Sequence, residues 1–173
     1  MKIRIPLILT AVLLIIFNLT AVAEAAHAMK NHLDARQRSM VAISALSGAG
    51  ELEKLETALN RGLDAGLSVN EIKEILVQVY AYAGFPRSLN AITVFQTVVE
   101  ERKAKGINDP EGRAPSPPPT DRASLAFGTE NQTRLIGQPV GGGIYEFAPA
   151  IDQFLKAHLF GDIFQRDNLD WKH

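Results

Sequence analysis

The segment from Ser68 to Pro86 constrains the fold of this chain more than any other part of the sequence. Apolar side chains recur along it at the spacing i, i+3, i+4, i+7 and i+8, at Ile72, Ile75, Leu76, Val79 and Tyr80. This pattern predicts an amphipathic helix that must bury one face against other elements. Ser68 as N-cap, with Glu71 three residues on, predicts the helix start, and Gly84-Phe85-Pro86 predicts its end.

Three further helices are predicted around this one. The second, Glu51 to Ala65, carries a stripe of leucines and stops at Gly66. The first spans Ala35 to Leu46, and the fourth starts near Arg87 and closes at Gly106. Because no segment alternates apolar and polar residues, strands are not expected. We therefore expect an all-α fold, a small helical bundle within residues 27–106.

The sequence changes character after this block. Residues 107–146 contain the polyproline stretch 115–119 and the Gly141-Gly142-Gly143 run, with a weak helix predicted from Ala123 to Ile136 between them. We expect a long Pro/Gly-rich linker, mobile for much of its length. A C-terminal helix, about Ala148 to Leu159, and a turn at Gly161-Asp162-Ile163-Phe164 are predicted within residues 147–173.

The N-terminus has the pattern of a secretory signal peptide. Lys2 and Arg4 precede a largely apolar run over residues 5–22. Ala21-Val22-Ala23, at the end of this run, and Ala26-His27-Ala28 both fit the small-x-small cleavage pattern. This predicts a cleaved segment over residues 1–23 and export to the periplasm or the medium. The alternative is an uncleaved anchor, since the run approaches the ~20 residues that span a bilayer. Only this segment would then contact a membrane.

Charge and composition exclude several classes of function. Without Lys2 and Arg4 the mature chain has 16 basic and 19 acidic residues, and no basic cluster of the kind that follows phosphates, so nucleic acid is not expected as a partner. The absence of cysteine excludes disulfides and thiol redox chemistry. Because the four histidines share no ligand spacing, no metal is expected. The sequence also has no Gly-rich phosphate loop and no nucleotide fingerprint, so no cofactor is expected.

The stretch from Leu67 to Ala91 resembles the carboxymuconolactone decarboxylase family, within the alkylhydroperoxidase D-like superfamily. The shared landmarks are a helix headed by Glu71, the turn Tyr82-Ala83-Gly84-Phe85-Pro86, and a helix with Asn90-Ala91. Ala58-Leu59-Asn60-Arg61-Gly62 and Phe160-Gly161-Asp162-Ile163-Phe164 are similar to two more. The resemblance covers residues 33–105 and 147–173. It implies an all-α bundle that assembles into trimers or hexamers.

The family resemblance implies two chemistries. The peroxidase branch needs two cysteines and a histidine, but this chain has Ala83, Pro86 and Asn90 at those positions, so thiol peroxidase activity is excluded. The decarboxylase branch acts on lactone acids without a cofactor. It needs an acid that delivers a proton and a clamp for the substrate carboxylate.

Residues for the decarboxylase chemistry are present in part. Glu71 is the candidate proton donor, and four residues are candidates for binding a small organic acid: Arg87, Tyr82, Asn90 and Lys54. Lys54 stands where decarboxylases of this type have a histidine. The competing interpretation of Glu71 is structural, as the third residue of a capping box that bonds the Ser68 backbone.

The C-terminal thirty residues resemble the start of a second family unit. Leu169-Asp170-Trp171-Lys172-His173 is similar to the segment from Leu33 to Gln37 that opens the first block. The tail therefore represents either a repeat cut short at His173 or a helix that docks on the first unit, in cis or on a neighbouring subunit. Two functions stay open: a carboxy-lyase-like enzyme that uses Glu71, and a non-catalytic binding or assembly module that kept the scaffold.

Overall fold

A computed structural model describes residues 33–117 and 123–169. The predicted four helices are α1 (Ala35–Ala49), α2 (Leu52–Asp64), α3 (Val69–Ala83) and α4 (Phe85–Ala104). No strand occurs within the described ranges, which confirms the all-α fold class. Helix α1 runs three residues beyond its predicted end at Leu46, because Gly48 is accommodated inside the helix and the break comes only at Gly50, where φ is +75°.

The four helices form one bundle with a common apolar core. Helix α1 packs on α2 and α3, α2 packs on α4, and α3 packs on α4. The stripe predicted for α3 supplies Ile72, Ile75, Leu76 and Val79 to the buried interior, while Tyr80 is only half-buried. Burial of each such aliphatic side chain stabilises the fold by roughly 1.5–3 kcal/mol. The bundle is therefore built on the face that the periodicity indicated.

Residues 109–112, which we call the strap, lie at the start of the predicted linker and cross the N-terminus of α3. The backbone N–H of Val69 donates to the Pro110 carbonyl at 3.0 Å, and that of Asn70 donates to the Glu111 carbonyl at 2.9 Å. Asp109 is paired with the buried Arg102 of α4. These contacts satisfy donors that a helix N-terminus leaves without partners. This part of the expected mobile stretch is thus packed on the bundle.

The C-terminal part adds a second helical layer. Helix α5 (Ser124–Ile136) matches the weak helix predicted there; α6 (Ile144–Phe147), α7 (Pro149–Phe154) and a π-helix (Leu155–Ile163) follow. The turn predicted at Gly161-Asp162-Ile163-Phe164 is wrong, because the helix continues through Ile163. The reason is tertiary: Gly161 and Gly128 have no side chain, so the π-helix backbone lies directly against α5.

The C-terminal segment docks on α3 of its own chain. The Gln78 side chain donates to the Ile163 carbonyl at 3.5 Å, and Asn168 donates to the Asn70 carbonyl at 3.3 Å. Leu169 packs on the edge of the bundle core. The described part of the tail therefore contacts its own chain, in cis. Residues 170–173 lie outside the described residues.

No helix among the described residues is long and apolar enough to span a bilayer. The segment predicted as a signal peptide, residues 1–23, lies outside the described ranges.

Candidate functional site

Glu71 lies in the first turn of α3, and both of its carboxylate oxygens are engaged. Oε2 accepts from the backbone N–H of Ser68 at 2.8 Å and from the Ser68 hydroxyl at 2.9 Å. Oε1 pairs with the Arg36 guanidinium at 2.5 Å. Arg36 also donates to the Gly66 carbonyl, so it ties α1 to the loop before α3. Glu71 is thus the third residue of a complete capping box with an added ion pair.

The environment of Glu71 favours its charged form. Burial by itself would raise the pKa of this carboxyl, but the hydrogen bonds from Ser68 and the charge of Arg36 outweigh burial and lower the pKa below its ordinary value of 4.5. A proton donor that operates near neutral pH needs the opposite shift. The surroundings of Glu71 thus favour its anionic form.

Substitution of Glu71 by Gln is expected to destabilise the fold by up to about 1 kcal/mol at neutral pH, because glutamine can keep the capping-box hydrogen bond but loses the charge that pairs with Arg36. Because the folded pKa is lowered, the stabilisation by Glu71 is complete above pH 4.5 and is lost as the pH falls below 4.5 through the folded pKa. Urea unfolding of both proteins between pH 7 and pH 3 should show the difference shrink with acid.

The matched control is Glu56→Gln, because Glu56 is an exposed carboxylate whose side chain makes no hydrogen bond or ion pair with other described residues. It should change the free energy of unfolding little at any pH. A difference between wild type and Glu71→Gln that does not depend on pH would contradict the anionic role of Glu71.

A cavity of about 530 Å³ lies between α3 and the docked C-terminal segment. Its wall is mainly apolar, with Ile75, Val79, Ala83, Leu135, Ile163, Phe164 and Leu169, and its polar side chains are Ser44, Glu74, Gln78, Tyr82 and Arg166. An apolar cavity with a few convergent polar groups is the usual form of a small-molecule site. Because Ile163 to Leu169 form one wall, the cavity exists only when the tail is docked.

Glu74 is the buried charge of this cavity. Its side chain is 1% exposed and accepts from the Nε of Arg166 at 2.7 Å and from Gln78 at 2.9 Å. The hydrogen bond to Glu74 raises the pKa of Arg166 above its ordinary value. The only sequence signal for this pair is a glutamate inside the apolar stripe of α3, since Arg166 lies 92 positions away. The sequence therefore did not predict the Glu74–Arg166 pair.

The predicted site residues are distributed over several places. Tyr82 lines the cavity although it is 69% exposed, and the partial burial of its phenol raises the pKa of this group. Arg87 is exposed, and its guanidinium lies against Gly50, where an added Cβ would be 1.4 Å from Nη1. Asn90 is exposed on α4, away from the lining of the cavity.

Lys54 lies on another face of the bundle. It pairs with Glu51 at 3.1 Å and lines a second cavity of about 560 Å³ between α1 and α2. Neither of these two cavities is lined by Glu71, Arg87 or Asn90. Within the described ranges no hydrogen bond or ion pair connects any two of the five predicted residues.

Comparison with known proteins identifies the scaffold. Residues 18–97 match the family model described as "Carboxymuconolactone decarboxylase family". No curated protein and no solved structure matches the chain. The matched range contains α1, α2 and α3 and most of α4, together with the capping glutamate and the Gly84-Phe85-Pro86 turn. The helical domain of this chain is thus similar, over residues 18–97, to the carboxymuconolactone decarboxylase family, and the sequence contains no cysteine.

Proposed function

We propose that this domain is a binding module for a small organic molecule, seated between α3 and the C-terminal segment, and that Glu71 does not act as its proton donor. The engagement of both Glu71 oxygens by Ser68 and Arg36 is the observation that carries the proposal. A decarboxylase needs an acid with a proton to give, whereas this carboxylate has a lowered pKa and three donors around it.

The cavity supports binding without chemistry at Glu71. Its apolar wall would remove a ligand's hydrocarbon surface from water, which favours binding by roughly 25 cal/mol for each Å² buried. Tyr82 and Gln78 are placed to orient polar atoms of the ligand. Glu74 and Arg166 largely neutralise each other, so the cavity presents dipoles and a partly used guanidinium rather than an isolated charge.

Turnover separates this proposal from the decarboxylase alternative. Carbon dioxide release from carboxymuconolactone and related lactone acids is measured with the wild-type protein and with Glu71→Gln at matched circular dichroism. We expect no release from either protein. Release by the wild type that is lost in the Glu71→Gln variant would overturn the proposal and assign Glu71 as the acid.

Binding is tested with the same compounds by calorimetry, since a ligand that enters the cavity needs no turnover to be detected. Tyr82→Ser should weaken a bound compound about tenfold, which corresponds to about 1.4 kcal/mol. Tyr145→Ser is the matched control, because Tyr145 does not line the cavity. Equal loss in both variants, or no binding of any compound by the folded wild type, would count against the cavity as the site.

We further propose that the protein is exported and forms a homo-oligomer, a trimer or a hexamer. Large apolar side chains are exposed at the start of α4 and on the tail, among them Phe85, Leu89 and Phe147, the last of them 92% exposed. Exposed side chains of this size mark an interface where they form a contiguous patch, and burial of them in an assembly would remove them from water. Light scattering of the purified protein tests the assembly, and the N-terminal residue of the protein recovered from the producing cells tests the removal of residues 1–23.

A further inference from the structure

Three hydrogen-bonded side chains join α3 to the π-helix, outside the lining of both cavities. The Tyr80 hydroxyl lies 2.7 Å from Nε2 of His158, and Nδ1 of His158 lies 3.0 Å from Oδ2 of Asp162. An ionised carboxylate only accepts, so Asp162 places the proton of the neutral imidazole on Nδ1. Nε2 is then the acceptor for the Tyr80 O–H. An activated nucleophile has this arrangement: its hydroxyl is hydrogen-bonded to a base, and a third group orients the base.

The backbone that carries the base supports the same interpretation. His158 and Asp162 lie four positions apart on the π-helix Leu155–Ile163. π-Helices are rare, and where they occur they are frequently at functional sites. Here the π-helix places His158 against Tyr80 and Asp162 against His158.

His158 and Asp162 are accessible to a reagent, and Tyr80 is half-buried beside them. His158 and Asp162 are 41% and 47% exposed. The ring of Phe85 stacks on Tyr80 with centroids 4.0 Å apart, and Phe85 is itself exposed. A hydrogen bond that only held the tail in place would be stronger if water were excluded from it. The Tyr80–His158 hydrogen bond instead lies beside exposed side chains, those of Asp162 and Phe85.

We propose that Tyr80 is a nucleophile toward activated esters, with His158 as its base and Asp162 as the positioning residue. The phenolic oxygen forms a bond to the ester carbonyl carbon while its proton passes to Nε2 of His158. The bond from that carbon to the alkoxy or aryloxy group breaks, and this group leaves with the bonding electron pair and takes up the proton from Nε2 of His158. Water then adds to the carbonyl carbon of the tyrosyl ester, the carboxylic acid departs, and the phenolic oxygen of Tyr80 regains a proton. This activity goes beyond the proposed binding function and uses neither Glu71 nor the cavity.

The test is acetylation by p-nitrophenyl acetate, with the modified residues identified by peptide mass spectrometry. The chain has three tyrosines, so Tyr82 and Tyr145 serve as internal references. We expect an acetyl group on Tyr80 that forms on the order of 100-fold more slowly in His158→Gln, the usual loss when a general base is removed. The labelling rates of Tyr82 and Tyr145 should not change. Tyr80→Phe should keep the stacking on Phe85 and lose the adduct.

A purely structural hydrogen bond makes the opposite prediction. Glutamine can accept the Tyr80 hydrogen bond but cannot take up its proton, so labelling of Tyr80 would then stay the same or rise as the phenol is freed. That result, or no acetyl group on Tyr80 in the wild type, would overturn the proposal. If His158→Gln loses its circular dichroism, Asp162→Asn decides the question. It keeps the side-chain shape and should slow the acetylation of Tyr80 alone.

Discussion

Replacement of Gly128 by alanine is expected to destabilise the C-terminal half of the protein by roughly 3 kcal/mol, the upper end of the usual cost of overpacking. A Cβ at this position would lie 1.6 Å from the Lys156 carbonyl oxygen and 2.7 Å from the Gly161 backbone nitrogen. Both neighbours are backbone atoms, so no rotamer change relieves the clash. Helix α5 and the π-helix must separate, and the wall of the cavity moves with them.

The control for this prediction is another helical glycine. Gly48 has no atom within 4 Å of an added Cβ, so Gly48→Ala should stabilise the fold slightly, by up to about 1 kcal/mol. Thermal unfolding and near-ultraviolet circular dichroism of both variants give the comparison. If Gly128→Ala unfolds like the wild type, the close approach of α5 and the π-helix is not present in solution.

The second large effect is expected from Arg102→Met, which should cost about 3–5 kcal/mol because it leaves a buried carboxylate without its partner. Arg102 is 8% exposed, and its Nε and Nη2 donate to the two oxygens of Asp109 at 2.8 Å each. Arg102 also pairs with Asp64 at 3.0 Å. The hydrogen bonds from Arg102 to Asp109 and Asp64 raise the pKa of its guanidinium above the ordinary value. Loss of the Arg102 guanidinium therefore removes the ion pair that joins the strap to α4.

Two variants separate charge from geometry in this network. Arg102→Lys keeps the positive charge but lacks the planar fork that binds both oxygens of Asp109, so its stability should fall between those of wild type and Arg102→Met. Lys103→Met, at the exposed neighbouring position, should change the free energy of unfolding by less than about 0.5 kcal/mol. Chemical denaturation of the three variants is the measurement. Similar losses for Met and Lys at position 102 would indicate that the fork, and not the charge, stabilises the strap.

The four helices of the bundle could be predicted from the sequence because their signals are local. The apolar stripe of α3, its Ser68 cap and the Gly84 break lie within nineteen residues, and the structure keeps all three. Helix periodicity states which face must be buried, so the core positions Ile72, Ile75 and Leu76 follow from spacing alone. The missing cysteines likewise excluded thiol chemistry before any fold was known.

The candidate site could not be predicted in this way, because its contacts join distant parts of the chain. Local sequence offered two roles for Glu71, and the contact with Arg36, on which the proposed structural role rests, comes from 35 positions away. The partner of Glu74 is Arg166, and that of Tyr80 is His158, both on a segment whose docking no periodicity reports. Nothing near residue 110 in the sequence indicates that carbonyl groups of the strap accept hydrogen bonds from backbone N–H groups at the N-terminus of α3.

The sequence by itself determined the helical class and the buried face of α3, since these depend on side-chain spacing within one or two turns. The tertiary structure alone decided which carboxylate is an anchor, which lines a cavity, and which histidine meets a tyrosine. These contacts depend on where the C-terminal segment and the strap dock. Docking in turn depends on the close approach of α5 to the π-helix backbone at Gly128, and on ion pairs between residues far apart in the sequence.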